Sequence, residues 1–308
     1  MCRTIVFVNL KCKVCVLTMP DLGYSFIKKS KFGVHYVYVH HSIVSTHAQY
    51  REKAFDHFDT IFCVGAHHKN EHRRSESVFN TAKKVLVPHG YCHLESLRTT
   101  TQQRSFKNFK IKETLNILIA PSWGKNCIIE RHGDKAVLPL LLAGHNVVVR
   151  PHIETQKRSR KKILSLIALS SKMKKFKVDL DNSSKNIFSW ADIMISDWSG
   201  VAFEFAFLTS KSVLFIDVPR KINNPNYTKL AMEPVEVSSR AILGSVLNEN
   251  KLHTISEACL TLYNESPQKV NGIKNLFEEL VHPGAENGER GAQYLQDIFW
   301  DTYVTYVS

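Results

Sequence analysis

The sequence lacks an apolar run long enough to cross a membrane. Its longest apolar stretch, residues 136–149, is interrupted by a proline, a glycine and two polar residues, whereas a membrane-spanning helix needs about 20 apolar residues. The apolar run near the N-terminus is broken by Lys11 and Lys13 and is not followed by a small-residue cleavage site, which argues against a secretory signal. We therefore expect a cytoplasmic protein, with association at the inner face of the cell membrane left open.

The sequence also lacks a disulfide framework and a complete set of metal ligands. Its seven cysteines are odd in number and irregularly spaced, and a chain of this length can bury a core without crosslinks. Cys12 and Cys15 form a CxxC pair, but the second pair that a zinc ribbon requires is missing. Histidines follow three of the predicted strands, yet no carboxylate or cysteine completes a ligand set with them. We expect no metal and no cofactor.

Acidic residues are scarce relative to basic ones. The chain has 41 Lys and Arg against 28 Asp and Glu, a formal net charge of +13, which favours an anionic partner: nucleic acid, an acidic membrane surface or a phosphorylated substrate. Basic residues concentrate at 157–162 and again at 172–177. A solvated helix face is the ordinary interpretation of such clusters. No basic stripe interleaved with aromatics supports nucleic-acid binding, so that function is the least favoured of the three.

Short β-branched runs alternate with longer helical patterns along the chain, which is typical of parallel sheets covered by helices on both faces. The predicted strands are Ile5–Leu10, Val34–Val39, Thr60–Val64, Lys84–Val87, Leu115–Ala120, Asn146–Arg150, Lys175–Asp179, Ile193–Ser196 and Ser212–Ile216. The clearest helical patterns are Asp134–Ala143, Lys161–Met173, Gly200–Leu208, Ser238–Asn248 and Gly272–Leu280.

A polar and basic segment, residues 97–113, separates two such α/β blocks. We therefore predict an α/β fold of two doubly wound, Rossmann-like domains, residues 1–105 and residues 106–308. Ligands of such sheets bind at the carboxyl ends of the strands, so we expect the functional site to face a cleft between the domains and to use the residues that follow each strand.

Candidate site residues lie at the carboxyl ends of the strands of the second block. They are Pro121, Ser122 and Trp123 at the end of the first strand, Arg150 and His152 at the end of the second, and Asp197, Ser199 and Gly200 at the end of the fourth. A small pair such as Ser199-Gly200 at the start of a helix leaves backbone N–H groups that can bind an anion, although a plain N-cap is an equally good interpretation. Glu204, one helical turn further on, could accept hydrogen bonds from ribose hydroxyls or lie on the helix surface.

In the first block, His89 and Gly90 follow the strand Lys84–Val87. A histidine at a strand end is well placed to accept a proton near neutral pH. A purely structural histidine is the alternative.

The tract ADIMISDWSGVAFEFAFLTSKSVLFIDVP, residues 191–219, resembles the donor-binding signature of the CDP-glycerol glycerophosphotransferases. This family includes teichoic acid primases and polymerases and related capsule polysaccharide enzymes. Three further family motifs are matched in order, by Pro88-His89-Gly90, by Ala120–Trp123 and by Arg150-Pro151-His152. One departure is the continuation Tyr91-Cys92-His93, where the family usually has Thr-Pro and a nearby lysine.

The resemblance implies a GT-B fold and the transfer of glycerol phosphate, or a related polyol phosphate, from a CDP-activated donor to a hydroxyl of a glycan or lipid-linked acceptor. By this match, His89 would be the general base, while His152 and Arg150 would neutralise the diphosphate. The donor would be held by Pro121, Ser122, Trp123, Ser199 and Gly200, with Asp197 and Glu204 shaping the site. A GT-B glycosyltransferase that uses a nucleotide sugar remains the alternative, because the same fold and phosphate site would serve both reactions.

Overall fold

The structure, a computed structural model, describes residues 2–98, 109–181, 186–283 and 287–300. The chain divides into two units: the first contains residues 1–95, 222–235 and 278–308, and the second contains residues 96–221 and 236–277. The predicted domain boundary after residue 105 lies outside the described residues.

Two segments that we predicted in the C-terminal domain belong to the first unit, residues 222–235 and 278–308. Backbone hydrogen bonds account for both. Asn223 donates to the carbonyl of Ala48 (2.9 Å), and His282 donates to the carbonyl of Val64 (2.8 Å). The chain therefore returns twice to complete the first unit, a connectivity that hydrophobic pattern alone does not reveal.

Each unit is built on a parallel β-sheet. The strands are β1 Val14–Leu17, β2 His35–Val39, β3 Thr60–Cys63, β4 Val85–Pro88, β5 Asn116–Ile119, β6 Asn146–Val149, β7 Phe176–Val178, β8 Ile193–Ser196, β9 Val213–Asp217 and β10 Gly244–Asn248. The sheet of the first unit has the order β1-β2-β3-β4, and that of the second unit the order β10-β9-β8-β5-β6-β7. Every pairing is parallel.

Helices precede, connect and follow these strands. They are α1 Cys2–Val8, α2 Thr46–Gln49, α3 Ala66–Phe79, α4 Cys92–Arg98, α5 Ile128–Arg131, α6 Leu138–Leu142, α7 Ile153–Arg158, α8 Arg160–Ser170, α9 Ile187–Trp190, α10 Val201–Thr209, α11 Val235–Ser238, α12 Arg240–Leu243, α13 Ile255–Leu280 and α14 Asn287–Phe299, with 3₁₀ turns at Gly133–Ala136, Tyr227–Leu230 and Glu249–Thr254. Parallel strands need such crossovers, because a tight turn cannot return the chain to the same end of the sheet.

The predicted strand Ile5–Leu10 is wrong: this run forms helix α1, and the strand begins later, at Val14. Ile5 and Val6 are exposed, so their β-branched side chains do not contribute to a sheet core. The next apolar run, which forms β1, pairs with β2 instead, with Val14 opposite His35. β-Propensity depends on the packing partner, and the first run has none in the sheet.

The predicted helix Ser238–Asn248 is also wrong over its second half, where residues 244–248 form β10. Gly244 begins the strand in extended conformation beside Val213 of β9. A Cβ at position 244 would lie 1.7 Å from the carbonyl oxygen of Val213. The absence of a side chain therefore permits the close approach that starts this edge strand.

The core of the second unit surrounds β5 and helix α10. Ile117, Leu118 and Ile119 are buried on both faces of the sheet, as expected of a central parallel strand. Helix α10 is apolar almost all round, with Val201 and Glu204 its only partly exposed residues, and such a helix packs inside a domain. This buried helix fixes the loop that precedes it.

The first unit contains a cluster of buried histidines, one directly after β2 and two on α3. The rings of His40 and His68 lie 4.0 Å apart, and Nε2 of His40 lies 3.4 Å from Nε2 of His72. Burial lowers the pKa of all three, that of His72 to about 3. His68 accepts a hydrogen bond from the Val64 N–H and donates one to a carbonyl. The fold therefore holds these rings in their neutral form.

We expect the first unit to lose stability as the pH falls below 6.5. The unfolded chain then binds protons that the folded chain does not, so each buried histidine lowers the free energy of unfolding by about 1.4 kcal/mol per pH unit below 6.5. Above pH 6.5 the stabilisation from the neutral histidines is fully present. Urea unfolding between pH 7.5 and 5.0 measures the slope. His72→Gln should lower it, and His253→Gln, at an exposed histidine, is the control. Equal slopes for wild type and His72→Gln would show that His72 makes no such contribution.

Candidate active site

The order of the second sheet places a topological switch point between β5 and β8. From β5 the chain winds outwards through β6 and β7, and it then returns to β8 and winds through β9 and β10 on the other side. Ligands of doubly wound sheets bind outside the carboxyl ends of the strands at such a switch point. The segments that follow these two strands are residues 120–123 and 197–200, which carry most of the predicted donor site.

The carboxylate of Asp197 ties these two segments together. Its Oδ1 accepts hydrogen bonds from the backbone N–H of Ser122 (2.7 Å) and of Trp198 (2.6 Å), and its Oδ2 accepts one from that of Ile128 (3.0 Å). Asp197 is only 2% exposed. The Ser196 hydroxyl adds a bond to the carbonyl of Ala120 (2.7 Å). Asp197 thus shapes the site through the backbone, and Ser122, which is also buried, is held by it.

Helix α10 begins directly after this loop. Gly200 is its N-cap, and Ser199 and Gly200 are partly exposed. The Ser199 hydroxyl has no hydrogen-bond partner among the described residues, so it is not used as a helix cap here. A partly exposed hydroxyl beside the positive end of a helix is suited to bind an anion. Glu204 lies in the first turn and is partly exposed.

A second side chain, Trp198, also holds the loop after β8 in place. Its indole Nε1 donates to the carbonyl of Val218 (2.9 Å), and the guanidinium of Arg240 lies 3.3 Å from the centre of its ring. Arg240 also pairs with Asp217 (2.9 Å). These contacts connect the loop after β8 to the end of β9.

His152 is exposed and caps helix α7. Its Nδ1 accepts a hydrogen bond from the backbone N–H of Glu154 (3.1 Å), so in the neutral ring the proton is on Nε2. The ring centre lies 6.1 Å from that of Trp123. His152 can therefore donate an N–H to an anion near Trp123.

Arg150 forms an ion pair within the fold. Its Nε and Nη2 lie 3.0 and 2.7 Å from Oδ2 of Asp179, and both side chains are largely buried. Much of its charge is therefore already balanced by a carboxylate. Its predicted role towards the diphosphate stays a prediction.

Two basic residues that sequence reasoning missed lie close to Trp123. The Lys221 ammonium is 4.3 Å and the Arg158 guanidinium 5.3 Å from the centre of the Trp123 ring. Lys221 forms no ion pair or hydrogen bond among the described residues. Burial lowers the pKa of Lys221 to about 8, although the nearby Asp197 favours its charged form. Lys221 follows β9 by four residues, so a wider inspection of the segments after each strand would have found it.

His89, the predicted base, lies in the first unit at the end of β4. Its ring stacks on Phe62, with 4.7 Å between ring centres. Its Nδ1 contacts the carbonyl of Gly90 (3.3 Å), and a carbonyl only accepts hydrogen bonds, so Nδ1 carries the proton and Nε2 carries the lone pair. The thiol of Cys92 lies 3.8 Å from that Nε2. Burial lowers the pKa of His89, which keeps the ring neutral and able to accept a proton.

Helix α14 packs against the same ring. A Cβ at position 291 would lie 2.7 Å from both Nε2 and Cδ2 of His89 and 3.0 Å from Phe62. Only glycine fits there without moving the histidine. His89 is 7% exposed as a result.

Neither a metal site nor a membrane span is found in the described part of the chain. No three His, Cys, Asp or Glu side chains of residues 2–98, 109–181, 186–283 and 287–300 are grouped so that they could hold a metal ion. Within the same ranges, no helix combines the length and the apolar character needed to cross a bilayer.

Comparison with solved structures identifies the fold. The wall teichoic acid polymerase TagF, soaked with CDPG, superimposes with a TM-score of 0.56 at 14% identity over 95% of this chain and 73% of that one. The UDP-GlcNAc 2-epimerase of Methanocaldococcus jannaschii, in complex with UDP-GlcNAc and UDP, gives a TM-score of 0.54 at 13% identity over 95% and 78% of the two chains. The putative UDP-N-acetylglucosamine 2-epimerase of Listeria monocytogenes gives 0.54 at 11% identity over 98% and 78%. These similarities confirm the predicted GT-B fold.

Curated protein sequences give no match. The sequence model of one family, however, described as CDP-glycerol:poly(glycerophosphate) glycerophosphotransferase, matches residues 29–216. This range contains three of the four motifs that suggested the family and residues 191–216 of the fourth, and it covers more than half of the chain. The chain therefore belongs to the CDP-glycerol:poly(glycerophosphate) glycerophosphotransferase family, and the family predicted from its motifs is confirmed.

Proposed function

We propose that this glycerophosphotransferase extends a teichoic-acid-like polymer, transferring glycerol phosphate from CDP-glycerol to a terminal hydroxyl of the growing chain. The observation that carries this proposal is the convergence of Lys221, Arg158 and His152 on Trp123 at the switch point of the second sheet. Such a group of donors suits a diphosphate ester beside an aromatic platform. TagF, which has the same fold, is a wall teichoic acid polymerase.

In the proposed reaction, the acceptor oxygen attacks the phosphorus that carries the glycerol. The bond from this phosphorus to the bridging oxygen breaks, and CMP leaves with the electron pair. The proton of the acceptor hydroxyl passes to Nε2 of His89. Lys221 and the Nε2–H of His152 offset the charge that develops on the leaving CMP, and the Ser199 hydroxyl at the start of α10 holds a phosphate oxygen.

Phosphoryl transfer depends mainly on positioning and on charge stabilisation. The side chains around Trp123 supply positive charge, so the proposed reaction needs no cofactor or metal ion. Full activity in EDTA is the expected result.

The proposed acceptor is linked to a glycan or a membrane lipid, which would place the reaction at the cytoplasmic face of the cell membrane. The net charge of +13 is compatible with an anionic surface. Flotation with vesicles that contain an anionic lipid tests this location, and a protein that stays at the bottom of the gradient would favour an unattached polymer.

The activity assay measures CMP release from CDP-glycerol in the presence of a poly(glycerophosphate) acceptor. We expect His89→Ala and His152→Ala to lower kcat by about 10² or more, the usual effect of removing an acid–base or charge-stabilising group.

In a thermal-shift panel, CDP-glycerol should stabilise the protein more than UDP-sugars do. Selective stabilisation by a UDP-sugar would instead identify a glycosyltransferase.

Lys221→Met should raise the KM for CDP-glycerol about tenfold, because a charge-assisted hydrogen bond to a phosphate contributes about 1.5–3 kcal/mol. Steady-state kinetics at saturating acceptor measures this. Lys229→Met, at an exposed lysine eight residues further along the chain, is the matched control and should leave this KM unchanged. An unaltered donor KM in Lys221→Met would remove Lys221 from the phosphate site.

Gly291→Ala should lower kcat at least tenfold while the thermal shift with CDP-glycerol stays at the wild-type value, since the new methyl group displaces His89 and leaves the second unit intact. Gly288→Ala is the control in the same helix, because a Cβ there meets no atom within 4 Å. Wild-type turnover in a folded Gly291→Ala protein would show that the position of the His89 ring is unimportant.

A further inference from the structure

More than half of the net charge lies in one short segment of the second unit. Between residues 151 and 178 the sequence has nine Lys and Arg but a single acidic residue, Glu154. We call residues 157–177, which run from α7 through α8 into β7, the basic segment. Its basic side chains are exposed, among them Lys161, Lys162 and Lys172.

Most of the charge of the basic segment is not balanced by ion pairs with the described residues. Glu154 pairs with Lys157 and Arg158 (3.1 and 2.8 Å). The other basic residues from Arg160 to Lys177 form no ion pair with any residue that the structure describes. Like charges at this density repel one another, and the repulsion is relieved when an external anion binds.

The basic segment starts at the donor site. Helix α7 is capped by His152, and Arg158 near its end approaches the ring of Trp123. From there the positive charge continues over α8 to Lys177 on β7, an edge strand of the sheet. A flexible polyanion bound along this surface would pass close to the residues that we assign to the donor.

We propose that the basic segment binds the phosphodiester groups of the acceptor polymer, an inference that rests on the proposed function. Poly(glycerophosphate) carries one negative charge per repeat and has no aromatic or bulky apolar group. Lysine and arginine side chains are therefore the ligands that it requires.

Neither protection of the sheet edge nor membrane binding accounts for the whole of this surface. Lysines on an edge strand prevent edge-to-edge pairing, but this applies to Lys177 and not to the residues of α8. A helix that lies on a membrane presents a continuous apolar face, whereas the fully buried residues of α8, Ile163 and Leu166, face the core and leave Leu164 as its exposed large apolar side chain.

The test is a triple variant, Lys161→Gln, Lys162→Gln and Lys172→Gln, which removes three exposed charges. With poly(glycerophosphate) of about ten repeats as the acceptor, we expect its KM to rise tenfold or more at low salt. The slope of log KM against log salt concentration should fall by about two to three, roughly one for each phosphate that a lysine no longer neutralises. The KM for CDP-glycerol should not change, and an acceptor with a single glycerol phosphate should be affected less than the long one.

The matched control is the triple variant Lys110→Gln, Lys135→Gln and Lys251→Gln, which lowers the net charge equally at exposed sites of the same unit. It should keep the wild-type KM for both substrates. If both triple variants raise the acceptor KM to the same extent, net charge and not the basic segment is responsible, and the proposal is wrong.

Two further outcomes separate polymer binding from membrane binding and from failure of the proposed function. If the basic-segment variant loses only its binding to phosphatidylglycerol vesicles and keeps its KM for the unattached polymer, the surface binds membrane and the proposal is overturned. If the wild-type protein releases no CMP from CDP-glycerol, the proposed function fails. Fluorescence anisotropy with labelled polymer then still decides whether the basic segment binds it, with equal affinity of wild type and variant as the contrary result.

Discussion

The geometry of the second unit's switch point depends on the buried carboxylate of Asp197. One side chain accepts three backbone hydrogen bonds, from Ser122, Ile128 and Trp198. Removing it would leave these N–H groups without their partner, at a cost of about 1–3 kcal/mol for each one left unsatisfied. The two loops would then be free to separate, although their strands, β5 and β8, would still pair. A single buried carboxylate thus determines how the loops that carry Trp123 and Ser199 are held.

The two units hold their candidate site residues in position by different contacts. In the second unit, Lys221, Arg158 and His152 lie around the ring of Trp123, and the neighbouring backbone is fixed by Asp197 and by Arg240 stacked on Trp198. In the first unit, the position and protonation of one histidine are set by Phe62, the Gly90 carbonyl and Gly291. In the reaction that we propose, both arrangements would reduce the reorganisation that is needed when charge develops, which is the main contribution that a protein makes to phosphoryl transfer.

The sequence predicted the strands from Val34 to Ile216 because buried parallel strands leave continuous β-branched runs. The predictions were wrong where tertiary contacts determine the secondary structure. Residues 5–8 are helical because the neighbouring run pairs with β2, and residues 244–248 are extended because glycine allows a close approach to β9. The strand ends predicted Ser199, Trp123 and His152 as candidate site residues, since parallel strands present the residues that follow them at one edge. The Arg150–Asp179 pair, Lys221 beside Trp123 and Gly291 against His89 join distant parts of the chain, and no local pattern encodes them.

The contact between Gly291 and His89 also constrains how this chain can vary. The two positions are 202 residues apart, yet the space that each side chain can occupy is set by the other. An alanine at 291 should be harmful beside a histidine at 89 and harmless beside a smaller residue, so the order in which the two substitutions arise decides whether the intermediate is viable. Such sign epistasis couples the two positions: a lineage that keeps the histidine would be held to glycine at 291, and one that loses the histidine would be free to replace the glycine.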